Sequence, residues 1–133
     1  MQITLTTKQV QRSGQTWIVK VGVKFTNTGK KVFQLDKLTA ALDGELANHV
    51  FDVRSAKGPV QYLGMMAKRA HPGPAGFARI APGASVETVV DLGGAYAFPP
   101  AGGRFTLKFS SANHFSVDDV QLESAELVVE LKP

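Results

Sequence analysis

Cysteine is absent from this chain, which removes disulfides, thiolate metal sites and a cysteine nucleophile together. No run approaches the roughly 18 apolar residues that a membrane-spanning helix requires. The opening, Met-Gln-Ile-Thr-Leu-Thr, has no basic segment followed by an apolar one, so no signal peptide is read there. His-Glu-x-x-His, Gly-x-Ser-x-Gly and a glycine-rich phosphate loop are all missing, and with them the common signatures of zinc peptidases, serine hydrolases and nucleotide-binding proteins. A dense basic stripe is missing too. The formal charge is only +4, and Lys20, Lys24, Lys30, Lys31, Lys68 and Arg69 are spread over several segments. That argues against nucleic acid as a partner.

What remains is 133 residues, 44% apolar and 20% charged, an ordinary globular balance that fits one domain over residues 1–133. Period-two alternation dominates the chain. Trp17, Val19, Val21, Val23 and Phe25 share one parity, and Lys20, Gly22, Lys24 and Thr26 the other. That pattern predicts a strand with one buried and one wet face. It recurs weakly at Ile3 and Leu5 and at Phe51 and Val53. It is strong again at Val86–Leu92, at Phe105–Phe109 and at Leu127–Leu131.

Turn residues punctuate these runs: Asn27-Thr28-Gly29, with Gly29 free to take positive φ, then Lys57-Gly58-Pro59, Pro82-Gly83, Gly93-Gly94 and Gly102-Gly103. Pro82-Gly83 is the expected centre of a type II turn. The stretch Leu35–Leu46 has leucines at helical spacing, but Thr39, Asp43 and Gly44 interrupt it, leaving a strand that bends into a loop equally open. Seven or eight antiparallel strands are predicted, forming an immunoglobulin-like β-sandwich.

One stretch departs from this pattern. Tyr62–Phe77 holds Met65, Met66, Lys68, Arg69, His71 and two prolines. Met65, Met66 and His71 offer soft and imidazole donors to a copper ion. Methionines beside a strand more commonly fill core gaps or cover a sandwich end, so no metal and no cofactor is assigned. Asn-His occurs twice, at Asn48-His49 and Asn113-His114. Asp118 and Asp119 are adjacent; in a strand they would point to opposite faces and could not act as a convergent acid–base pair. Trp17, Phe25, Phe105 and Phe109 read as core, Tyr62 and Gly64 as a packed ring and a tight turn. Asp91 reads as bonded to a loop backbone or as a wet-face residue.

The order of features from residue 21 to 109 is more specific. It includes Asn27-Thr28-Gly29, Tyr62-Leu63-Gly64, Lys68-Arg69, Pro82-Gly83-Ala84-Ser85, Val90-Asp91-Leu92, Tyr96 and the segment Gly103–Phe109. This order resembles the amino-terminal pro-domain of the deuterolysin, or aspzincin, family of zinc metallopeptidases. The catalytic zinc helix of that family is not in the sequence. The resemblance therefore implies a non-catalytic pro-domain, or a free-standing inhibitor and folding chaperone, that binds and blocks a zinc metallopeptidase catalytic domain. It implies a secreted or periplasmic protein, monomeric when free and without a membrane partner. On that reading Lys68 and Arg69 enter an acidic specificity pocket, Met65 and Met66 form an apolar collar, and Lys132 in the carboxy-terminal tail is a second contact. Two alternatives remain: a generic immunoglobulin-like interaction or adhesion module, and a small copper-binding periplasmic sandwich.

Overall fold

A computed structural model describes residues 1–67 and 72–133. Among the described residues ten strands follow one another: β1 (Gln2–Ser13), β2 (Thr16–Thr26), β3 (Phe33–Asp36), β4 (Phe51–Ser55), β5 (Gly58–Pro59), β6 (Phe77–Ile80), β7 (Ser85–Asp91), β8 (Gly103–Ala112), β9 (Gln121–Glu123) and β10 (Leu127–Leu131). That exceeds the seven or eight predicted. Pieces as short as β5 and β9 complete too few periods to show alternation. A single 3-10 turn, Pro74–Gly76, is the one helical element among the described residues.

All pairings are antiparallel, and the chain forms a β-sandwich. One sheet has the order β1-β2-β7, and the other β10-β8-β4-β5 with β9 also on β8. Their inner faces meet where Phe25 of the first sheet touches Phe109 of the second, edge to face at 5.5 Å, with Phe51 edge-on to Phe109 at 5.6 Å. Burying each such ring stabilises the fold by about 1.5–3 kcal/mol, and the edge-to-face geometry adds about 0.5–1.5 kcal/mol. Trp17, Val19, Val21, Val23, Phe105, Leu107, Val129 and Leu131 complete the shared core, as their parity predicts.

β1 explains why its own alternation is weak in the sequence. Ile3 pairs with Phe25 and Leu5 with Val23, but the register shifts between Thr7 and Gln9. The extra residue, Lys8, reverses the parity, so that Val10 and Arg12 then pair with Val19 and Trp17. One bulge thus hides a strand of twelve residues from a period-two reading.

The Pro82-Gly83 turn forms as expected: Gly83 has φ +80° and Ala84 donates to the Ala81 carbonyl at 2.9 Å. Gly29, though free to take positive φ, does not adopt it. Its turn is organised by the buried side chain of Asn27 instead. Asn27 Oδ1 accepts from Gly29 N at 2.9 Å, and Nδ2 donates to the carbonyls of Lys31 at 2.7 Å and Ile80 at 2.8 Å. This carries the β2–β7 ladder round a corner into the small β3–β6 pair. Asp91 bonds loop backbone: its Oδ1 accepts from Val19 N at 3.0 Å and Gly93 N at 2.9 Å. A Cβ on Gly93 would lie 1.6 Å from the Trp17 carbonyl oxygen, so the Asp91-Leu92-Gly93 turn admits only glycine at its third place. Leu35 and Asp36 close β3 and the rest of the leucine-spaced stretch forms turns, so it is a strand that bends into a loop and not a helix. Asp36 caps it, accepting from Leu38 N and from Thr39 Oγ1.

Candidate functional site

The apolar surface that water should disfavour is concentrated in two loops. Leu63, Met65 and Met66 are 58%, 58% and 70% exposed, and Phe115 and Val117 are 46% and 83% exposed. The methionines therefore neither fill the core nor lie flat over the sandwich end.

The first loop is pinned at several points between Val60 and Ala67. Val60 N donates to Val53 O at 2.7 Å, and Gln61–Leu63 then run antiparallel to Ala95–Ala97 through bonds of 2.7 Å and 2.9 Å. At its far end Ala67 N donates to Ala47 O at 2.9 Å. Between these anchors the Tyr62 ring lies parallel to His49 at 5.1 Å and tilted against Tyr96 at 5.2 Å. The Tyr62 hydroxyl turns back and donates to the Met65 carbonyl. A Cβ on Gly64 would fall 2.6 Å from the Tyr62 hydroxyl, so glycine is what lets the ring fold over the chain. The Tyr62-x-Gly64 unit is thus a clamp that turns Leu63, Met65 and Met66 outward.

Tyr96 holds the clamp to the core. It is buried, donates from its hydroxyl to Phe51 O and accepts from Phe51 N, each at 3.1 Å. Burial pushes its pKa well above the usual tyrosine value; the nearby Tyr62 and Asp52 add to this, and the bond to Phe51 opposes it. Burial also raises Tyr62. Both phenols stay protonated and keep donating.

The second loop joins β8 to β9 and is held by polar bonds. Asn113 is fully buried. Its Oδ1 accepts from Asp36 N, and its Nδ2 donates to Gln34 O and Asp118 O, all at 2.8 Å. Ser116 donates to Gln34 O at 2.6 Å, and Asp118 Oδ2 accepts from Gln34 N at 2.8 Å. Phe115 sits between them at φ +58°, a conformation a bulky residue adopts only when its neighbours dictate it. Phe115 and Val117 border a cavity of about 380 Å³ shared with Pro74, Phe77 and Arg79. Asp118 lies in this loop rather than in a strand, and its carboxylate is committed to the β3 backbone.

The two loops are neighbours. His114 of the second and Met66 of the first line a common cavity of about 220 Å³ together with His49. Together they make a rim of exposed apolar side chains on a stiff frame. Such a surface suits recognition of another protein more than chemistry. No group of three or more His, Asp or Glu side chains able to hold a metal occurs among the described residues, and no helix there is long and apolar enough to cross a membrane.

Of the residues singled out from sequence, Met65 and Met66 lie on this rim. Lys68 and Arg69 fall outside the described residues, as does His71. Lys132 is elsewhere. It follows Leu131, which pairs with Gly103, whereas Met66 shares its cavity with Ser111. Eight residues of β8 separate those points, roughly 26 Å at about 3.3 Å per residue. Lys132 instead pairs with Glu130 at 3.3 Å in an exposed bridge. The tail and the rim are therefore separate surfaces. Leu63, Phe115 and Val117 were not singled out from sequence; only an apolar residue flanked by turn formers signalled them. No protein-family model matches this chain, and no curated protein matches it as a relative.

Proposed function

We propose that this chain is a non-catalytic pro-domain, or a free-standing inhibitor and folding chaperone, that binds a zinc metallopeptidase of the deuterolysin type through the rim of Leu63, Met65 and Met66. The ordered motifs shared with that pro-domain family support the reading. Several also have a structural role, since Tyr62 and Gly64 build the clamp, Pro82-Gly83 the turn, and Asp91 with Gly93 the corner. The observation that carries the contact surface is the pinned loop with its exposed methionines, because a stiff apolar rim loses little entropy on binding. The pairing of β1-β2-β7 against β10-β8-β4 supports an immunoglobulin-like description of the scaffold. Met65 and Met66 would form the collar, and the sequence-adjacent Lys68 and Arg69 would meet acidic groups of the peptidase.

Mixing the protein with a deuterolysin-type catalytic domain tests this. Stoichiometric loss of peptidase activity, or a raised refolding yield, is expected. No effect on either measurement would remove the peptidase reading. It would leave a general protein-interaction module, which the apolar rim supports without reference to any family. Replacing Lys68 and Arg69 by alanine should weaken inhibition; replacing Lys132 should not.

A further inference from the structure

We propose that His49, His114 and Met66 form a binding site for a cuprous ion. The fold brings the histidines of the two Asn-His dipeptides to one cavity. β4 and β8 pair from Arg54–Thr106 to Phe51–Phe109, and Ser110 N continues the ladder to Val50 O at 2.8 Å. His49 and His114 thus leave adjacent strands at the same end of one sheet. The bond from Ala67 N to Ala47 O brings Met66 against them. All three side chains line the same cavity of about 220 Å³.

The donor set selects the ion. Two imidazoles and a thioether are borderline and soft ligands, and the other polar residues lining the cavity are Thr39, Asn48 and Ser111, with no carboxylate. Calcium and magnesium require oxygen anions, and a structural zinc takes four protein ligands, so a low-coordinate monovalent copper fits best. Neither histidine ring makes a hydrogen bond among the described residues, which leaves the ring nitrogens available. Stacking on Tyr62 restrains the plane of His49, while exposed Met66 has three rotatable bonds with which to close on the ion. The set differs from Met65, Met66 and His71, the run that sequence alone brings together. It needs no peptidase, so it stands or falls separately from the proposed function.

Titration of the whole chain with Cu(I), kept reduced by ascorbate and competed against a chromophoric cuprous chelator, tests the site. One equivalent should bind, and His49→Ala, His114→Ala and Met66→Ala should each weaken binding by at least about tenfold. Met65→Ala should not, and circular dichroism should show all four variants folded. Silver ion, a redox-inert substitute, should shift the Met66 methyl resonance. Failure to compete with the chelator would overturn the proposal. So would affinity that survives the double change His49→Ala and His114→Ala, or that is lost in His71→Ala but kept in His114→Ala.

Discussion

The loops Tyr62–Ala67 and Asn113–Asp118 both hold large apolar side chains in water, but by opposite means. The first uses rings: Tyr62 folds over Gly64 and stacks between His49 and Tyr96. The second uses a buried amide: Asn113 satisfies three backbone groups at once and docks the loop on β3. Each device couples its loop to a different part of the molecule. Asn113 ties β8 to β3 and so belongs to the global fold. The ring clamp lies on the edge of the core, joined to it through Tyr96, so its failure should be local.

The largest effect that would undo this contrast is at Asn113. Asn113→Ala removes the acceptor that Asn113 Oδ1 gives to Asp36 N–H and one of the two donors to each of the Gln34 and Asp118 carbonyls, and a loss of about 2–3 kcal/mol is expected in urea unfolding. A loss under about 1 kcal/mol would mean that the hub does not couple β3 to the fold. Gly64→Ala comes next, at about 1–2 kcal/mol, because the new Cβ displaces a side chain rather than backbone. Its signature should be local: the ring resonances of Tyr62, His49 and Tyr96 move while those of Phe25 and Phe109 stay.

Tyr96→Phe should cost about 1 kcal/mol at neutral pH through the lost bonds to Phe51. It also carries a pH signature. Burial raises Tyr96 first of all, and raises Tyr62, so the folded chain keeps protons that the unfolded chain releases near about pH 10. The stability from these phenols is complete below that pH and falls as pH rises above it. Alkaline unfolding followed at the tyrosinate absorbance should therefore be blunted in Tyr96→Phe; an unchanged alkaline limb would show that Tyr96 is not its source. The smallest stability effect belongs to the rim itself. Met65→Ser with Met66→Ser should alter unfolding by no more than about 0.5 kcal/mol while weakening any peptidase complex. Full inhibition by that double variant would move the contact away from the rim.

Much of the sandwich is legible in the sequence because alternation reports directly which face of a strand is wet. β2, β7, β8 and β10 bury the residues that their parity assigns. β1 is hidden because one bulged residue at Lys8 reverses its parity midway. At Gly29 the freedom to take positive φ goes unused, and a buried Asn27 supplies the turn. The stretch after β3 keeps leucines at helical spacing but gives its turns to Asp36, whose short carboxylate competes with helix bonding.

Local chemistry along the chain is enough to dictate an antiparallel β-sandwich, the residues in its core and the turn at Pro82-Gly83. Period two and the backbone limits of proline and glycine act within a few residues and need no distant partner. Which loops meet is a matter for the folded chain. Met66 and His49 lie 17 positions apart, and His114 is 48 beyond Met66, yet strand pairing brings all three to one cavity and sends Lys132 to the far end of β8. Register between distant strands makes that choice, and register is a property of the paired ladder rather than of either strand.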